Sequence, residues 1–486
     1  MKYKLRIKKG IVFTLIMLFQ ILEAQTIHTE IKLPAIVASN MVLQRNTTIE
    51  IWGWSAAHEN IEIEASWLEK VHVIVADKDG NWSLEIKTTN SKEPQTVTLK
   101  SKTSTIVLEN ILFGEVWLCS GQSNMQQPVK GFNGQPTPGS MKAIVNSANP
   151  NLRLFTVGRK GTEWPQLDIK EFTGWQEASP QNVSNFSAVA YFFGQQLQEI
   201  LEVPIGLIHT SYGASSVEAW MSTEAIKPYQ KMKLEKVVIT KKPNKTPTFL
   251  FNAMIHPLIK YKIKGALWYQ GEANRSEPER YKKLFPAMVK DWRALFKIGN
   301  FPFYYVQIAP FNYGKNKPFK SRINTSYIRE AQLQSLDLIP NAGIAITMDV
   351  GDEFSIHPPK KKEVADRLLY NALNQTYGYK AIDCCSPTYD SFKIENNGIK
   401  LSFKNVQSGL YAFNTLKGFE IAGVDKIFYP ADAKIVNRKK VFVKSDKVSN
   451  PIAVRYAWKN WITGTLYDTN LLPSSSFRTD NWKDTK

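Results

Sequence analysis

Hydrophobic and polar positions change rhythm twice along the chain. From about residue 26 to 108 the sequence runs in short period-two stretches, among them "TIEIWGW", "NIEIEASW", "NWSLEIKT" and "STIVLEN", separated by turn signals such as "KDGN". Alternation at period two gives one face to a core and one to water, which predicts an all-β sandwich over residues 25–108. From about 110 to 380 continuous apolar runs take over, each ending in a polar loop: "GEVWLCSG", "VPIGLIHTSYG", "IKGALWYQGE", "FPFYYVQIAP" and "AGIAITMDVGD". Stretches of helical period separate them, including "AVAYFFGQQLQEIL", "PERYKKLFPAMVKDWRALF" and "KKKEVADRLLYNALNQTYG". Buried strands alternating with helices predict an α/β domain over 109–382, a mostly parallel sheet with helices on both faces. Beyond residue 383 strand-like runs return ("IKLSFKNV", "KVFVKS", "IAVRYAW"), predicting a β-rich module to residue 486. No internal repeat or low-complexity segment interrupts this plan.

Composition changes the picture mainly at the N-terminus. Lys2, Lys4, Arg6, Lys8 and Lys9 precede the apolar stretch from Ile11 to Ile21, and small Ala24 follows at a plausible cleavage point. Residues 1–24 therefore read as a secretory signal peptide, which places the mature chain outside the cytoplasm, secreted or periplasmic. No other segment is long and apolar enough to span a bilayer, so stable membrane insertion is not expected. Removing the leader takes five positive charges and Glu23 from a formal net charge of +19, leaving +15. The lysines are scattered, and the densest cluster, Lys231 to Lys245, reads as a solvated connector with no nucleic-acid motif beside it. A nucleic-acid partner is therefore not expected. Three cysteines, Cys119, Cys384 and Cys385, allow one pair at most and argue against a disulfide scaffold. Six scattered histidines form no metal-ligand spacing, and neither metal nor organic cofactor is expected.

In an open parallel sheet, ligands bind beyond the carboxyl ends of the strands. Four such ends carry polar signatures: "GQSNM" at 121–125, "SYGASSVEAW" at 211–220, "WYQGEAN" at 268–274 and "DVGDEFSIHPPKK" at 349–361. A serine hydrolase needs a nucleophile, a base and donors facing the developing oxyanion. Ser123, His357, the Gly213 N–H and the Gln270 side chain supply one of each. The order, nucleophile first and histidine last, without G-x-S-x-G around Ser123, argues against an α/β-hydrolase elbow. A second histidine before a proline, His256, sits ahead of a strand and is the weaker candidate base. Glu272 and Asn274 either shape the pocket or brace its loop.

The strings "NMVLQR", "GEVWLCSGQSNMQ", "WYQGEAN", "IHPPKKKEVADRL", "KGFEIAG" and "SFRTDNW" resemble the sialate O-acetylesterase family of the SGNH hydrolases, over about residues 33 to 484. The resemblance implies a flavodoxin-like esterase domain flanked by β modules. It assigns Ser123 as nucleophile, His357 as base, and Ser123 N–H, Gly213 N–H and the Gln270 amide as oxyanion donors, with Gln270 where the wider superfamily has asparagine. The chain departs from that pattern at the acid. The superfamily often has aspartate three residues before the histidine, where this chain has Phe354. Asp352 is the chosen carboxylate, and a Ser–His dyad with a backbone carbonyl orienting the ring is the alternative. Ala214 stands where the family often has a second glycine.

The implied activity is hydrolysis of O-acetyl groups from a glycan, most of all O-acetylated sialic acid, without a cofactor. Acetylated plant polysaccharide is the nearest rival substrate, and a non-catalytic glycan-binding protein is a rival of another class. With an ordinary imidazole as base, activity should fall below pH ~6.5.

Overall fold

The computed structural model describes residues 30–229, 242–315 and 323–482. The signal-peptide reading of residues 1–24 lies outside the described residues, as does most of the Lys231–Lys245 cluster. One strand organises the molecule. Thr105–Gly121 is seventeen residues long, and its exposure alternates at first before becoming continuously buried from Ile111 onward. Its first part pairs antiparallel with Gln95–Lys100 in the N-terminal β module. Its second part lies between Ile205–Ser211 and Gly265–Tyr269, parallel to both. The boundary expected at 108/109 thus falls inside a single strand, which ties the two regions together.

Around that strand the α/β sheet has the order Ala342–Ala345, Phe303–Val306, Gly265–Tyr269, Thr105–Gly121, Ile205–Ser211, Asn149–Thr156, Gln176–Ala178. Only the last pairing along this order is antiparallel. Alternate residues of the central strand enter two separate cores. Val116 and Leu118 join Trp268 and the helix Pro278–Phe296 through Tyr281, Phe285 and Trp292. Trp117 and Cys119 join Tyr269 and the helices Ala188–Leu201 and Lys361–Asn371 through Val189, Phe193, Val364 and Leu368. A strand buried on both faces reads as an uninterrupted apolar run, as "VWLC" does.

The N-terminal module lays the antiparallel pair Thr48–Trp54 and Asn81–Lys87 against the sheet containing Asn60–Ala65 and Gln95–Lys100. Ile49, Ile51, Ile61, Ile63, Val97 and Leu99 fill the space between them. The C-terminal module consists mainly of two four-stranded antiparallel sheets. It is fixed to the α/β domain by buried polar ties. Arg329, wholly buried, donates to Ser476 Oγ and to the Lys459 carbonyl. Arg478 and Glu330 form a two-pronged ion pair at 2.9 and 2.8 Å.

Candidate active site

The central strand stops at Gly121, whose φ of +142° an L side chain rarely adopts and whose added Cβ would lie 2.2 Å from the Tyr269 carbonyl oxygen. Gln122 N–H still pairs with that carbonyl at 2.9 Å, and then the chain turns into a single helical turn, Ser123–Gln126. Ser123 opens that turn, half-buried, beyond the strand end. The strand to one side continues into Tyr212, which donates to the Gly121 carbonyl, and then into Gly213. An added Cβ on Gly213 would lie 3.7 Å from Ser123 Cβ, so this backbone runs directly beside Ser123. Ala214 has φ +55°, the left-handed region where glycine is favoured. Gly213 N–H donates to Gln126 Oε1 at 2.9 Å. A glutamine side-chain oxygen thus occupies the Gly213 N–H.

His357 enters from the loop after Ala342–Ala345. Its Nδ1 is 2.7 Å from Gln135 Oε1, and its ring meets the Phe132 ring edge-on at a centroid distance of 5.4 Å. Both partners come from one two-residue turn. Phe132 and Gln135 bridge each other through paired backbone bonds across Asn133-Gly134, with Gly134 at φ +68°. A positive φ at the second central residue is the position that favours glycine in such a turn. An amide oxygen accepting from Nδ1–H fixes the tautomer with its free lone pair on Nε2, the form a general base needs. Burial first, and the Lys361 ammonium second, push the His357 ring down to about pKa 4.

Two assignments made from the sequence are corrected. Asp352 does not orient the imidazole. Its Oδ1 accepts from the backbone N–H groups of Phe354 (2.7 Å) and Ser355 (2.8 Å), a local turn that uses the short carboxylate where it stands. Ser355 carries the order onward, its hydroxyl donating to the His357 carbonyl and accepting from His357 N–H. Of the other acids near the histidine, Asp349 is held by Arg367 at 2.8 and 2.7 Å and Glu353 accepts from Asn312. The orienting group is instead neutral Gln135. Gln270 does not face the nucleophile as a donor either. Its side chain is fully buried, and its amide nitrogen donates to the Ser215 carbonyl (3.0 Å) and Asn274 Oδ1 (2.7 Å), which consumes both hydrogens. Asn274 also braces, accepting from Val217 N–H and donating to Glu218. His256 binds the Gln166 carbonyl away from these loops.

Beneath the Ser123–Gln126 turn lies a buried polar chain. Asn124 donates to Glu272 Oε1 (2.6 Å) and to the Ile356 carbonyl (3.1 Å), and it accepts from Lys361 Nζ (2.5 Å). The residues following Ser123 and preceding His357 are therefore bonded to each other. Burial raises the Glu272 carboxyl and lowers the Lys361 amine to about 7, while each charge opposes the shift of the other. Neither role of Lys361 nor of Asn124 was visible as a motif. The signal for Lys361 lay in its being the first residue of a helix directly after the histidine loop. Among the described residues no group of histidine, cysteine and acidic side chains is arranged to hold a metal ion.

The sheet order, the strand-end serine and the flanking β modules define an SGNH-type hydrolase domain between β modules. The family described as carbohydrate esterase, sialic acid-specific acetylesterase, matches residues 113–365, more than half of the chain, and the protein belongs to that family. It is similar to the sialate O-acetylesterase of Homo sapiens, 29% identical over 466 residues covering 87% of each chain. The Mus musculus sialate O-acetylesterase is 26% identical across 97% of this chain and 98% of its own. Among solved structures, a carbohydrate acetylesterase from Xanthomonas citri superposes with a TM-score of 0.84 at 32% identity, over 93% of this chain and all of the other.

Proposed function

We propose that the protein is a glycan O-acetylesterase acting outside the cytoplasm, with Ser123 as nucleophile and His357 as base. The observation that carries this reading is Ser123 beside the Gly213 backbone, with its neighbour Asn124 hydrogen-bonded to the carbonyl of Ile356, which precedes a histidine whose Nδ1 is already held by an acceptor. His357 Nε2 takes the Ser123 proton as Oγ attacks the acetyl carbonyl. Ser123 N–H and Gly213 N–H hold the tetrahedral oxyanion after it displaces Gln126 Oε1. Collapse returns the proton through His357 to the departing sugar oxygen and leaves acetyl-Ser123. Water, deprotonated by the same ring, then releases acetate and restores the enzyme.

O-acetylated sialic acid is the favoured substrate, on the family membership and the sialate O-acetylesterase relatives. The positive net charge adds a weak long-range attraction for an anionic sugar. Export rests on the basic and apolar leader, and no helix among the described residues is long and apolar enough to cross a membrane. The deciding experiment compares acetate release by wild type and Ser123→Ala on O-acetylated sialic acid and acetylated xylan. Release abolished in the variant, with sialic acid preferred by wild type, is the expected result. Release that persists in Ser123→Ala removes the nucleophile, and preference for xylan reassigns the substrate. A wild type that leaves both substrates and a chromogenic acetyl ester intact is a binding protein.

A further inference from the structure

Cys384 and Cys385 lie between the last helical segment of the α/β domain, which ends at Thr376, and the first strand of the C-terminal module, Thr388–Glu395. Adjacent residues in extended chain send their side chains to opposite sides. Here the two Sγ atoms are instead 3.5 Å apart and joined by a thiol hydrogen bond. The surrounding backbone is pinned to keep them so. Asn374 Nδ2 donates to the Ile382 carbonyl (2.7 Å), Asn470 Nδ2 to Asp383 Oδ2 (2.5 Å), and Thr388 Oγ1 and Asn405 Nδ2 both donate to the Ser386 carbonyl. Cys384 is buried and accepts from Gln375 Nε2 at 3.7 Å, while Cys385 is exposed.

We propose that this pair is a thiol–disulfide modification site, which closes to a disulfide between adjacent residues by exchange with a low-molecular-weight disulfide. Closure requires the sulfurs to approach from 3.5 Å to the roughly 2 Å of a covalent bond. Because consecutive Cα atoms lie only about 3.8 Å apart, below the usual spacing across a disulfide, the closed bond is strained and readily reduced. The chemistry is two successive exchanges. The exposed Cys385 sulfur passes its proton across the hydrogen bond to the Cys384 thiolate, attacks one sulfur of the reagent and breaks its S–S bond, forming a mixed disulfide. The first small thiolate, expelled in this step, takes up that proton. Cys384, as thiolate, then attacks Cys385 Sγ and expels the second. The two protein thiols are oxidised by two electrons, the reagent is reduced to two thiols, and the two protein protons end on those thiols.

The hydrogen bond from Cys385 favours the Cys384 thiolate, lowering that thiol to about 7 against the opposing effect of burial, and it raises the Cys385 thiol in turn. Cys119 does not compete. It is wholly buried in the central strand and burial pushes its thiol upward, away from the reactive thiolate. The site lies apart from Ser123 and His357, so the proposal does not depend on the esterase reading.

The test incubates the reduced, folded protein with oxidised glutathione, removes the reagent, denatures and alkylates it, and counts free thiols by mass spectrometry. The chain holds three cysteines. Three alkylated thiols before treatment and one after, with residues 384 and 385 unalkylated in a monomeric chain and restored by dithiothreitol, is the expected result. Cys384→Ser is expected to stop at one glutathione per chain on Cys385, since the second attack is gone. Three alkylated thiols after treatment, a disulfide between two chains, or a Cys384→Ser variant that takes up no glutathione each overturn the proposal. Far-UV circular dichroism matching that of the untreated protein verifies that each sample is folded.

Discussion

The environment of His357 makes a pH prediction that differs from that of an ordinary imidazole. The folded ring titrates at about 4 rather than 6.5. At about 1.4 kcal/mol per unit, that displacement disfavours the imidazolium by roughly 3 kcal/mol, less what solvent reaching a half-buried ring recovers. Burial is the main cause, the Lys361 ammonium the second, and Glu272 the opposing charge behind Lys361. Gln135, uncharged, offers orientation without pulling the proton back. The base is thus competent far into acid, and kcat/KM for a small chromogenic acetyl ester should hold through pH 5 and fall only near pH 4. Replacing Gln135 by its isosteric carboxylate reverses one factor. In Gln135→Glu an anion accepts from Nδ1–H, which favours the imidazolium and raises the ring by ~1–3 units. The acid limb should move up to between roughly pH 5 and 7, the position of an ordinary triad. The same shift has a stability sign. Between pH 6.5 and 4 the unfolded chain takes up a proton that the folded ring refuses, so this group's contribution is lost as the pH falls through that window and levels off below it. Profiles measured after brief acid exposure, with activity regained at pH 7, separate titration from unfolding. A wild-type limb at 6.5, or a limb that Gln135→Glu leaves unmoved, would refute the account of the ring.

Three further outcomes test other parts of the site. Gln126→Glu sets a carboxylate against Gly213 N–H, where negative charge must develop, so kcat should fall by about 10²-fold or more, on the scale of a lost oxyanion donor. An unchanged kcat would remove Gly213 from the oxyanion site. Asp352→Asn keeps the side-chain oxygen that accepts from Phe354 and Ser355, so activity should stay within about threefold of wild type. A loss near the ~10⁴ of a disabled triad acid would restore Asp352 to the ring. Lys361→Met and Glu272→Gln each strand a buried partner and should cost about 3–5 kcal/mol in denaturant unfolding, whereas the double variant should cost well under the sum. Additive losses would show that Asn124 does not couple them.

How far the site could be read from sequence follows from which interactions are local. The Ser123 position was legible because a strand buried on both faces ends in five small or polar residues, and Gly121 holds a backbone conformation that fits only that ending. The two β modules were legible from alternation, but the division at 108/109 was not, because Thr105–Gly121 changes layers without leaving the extended conformation. Its pattern does record the change, from alternating exposure to continuous burial. Asp352 misled because proximity in sequence favours backbone amides over a ring: a short carboxylate two and three residues before free N–H groups finds them first. Gln270 misled for the opposite reason. Its place at a strand end is correct, but strand-end position does not fix where a long side chain points, and Ser215 and Asn274 claim its amide from inside the domain. Gln135 was out of reach because it meets His357 across 222 residues, through a turn whose Asn-Gly signal says that the chain reverses and nothing about what it reverses against. The same geometry explains why a neutral residue suffices there. With Lys361 buried nearby and Glu272 balancing it through Asn124, the site already holds two buried ionisable groups, and a third charge without a counterion would have to be desolvated on its own. An amide orients the imidazole without that cost, and the acid limb near pH 4 is its measurable consequence.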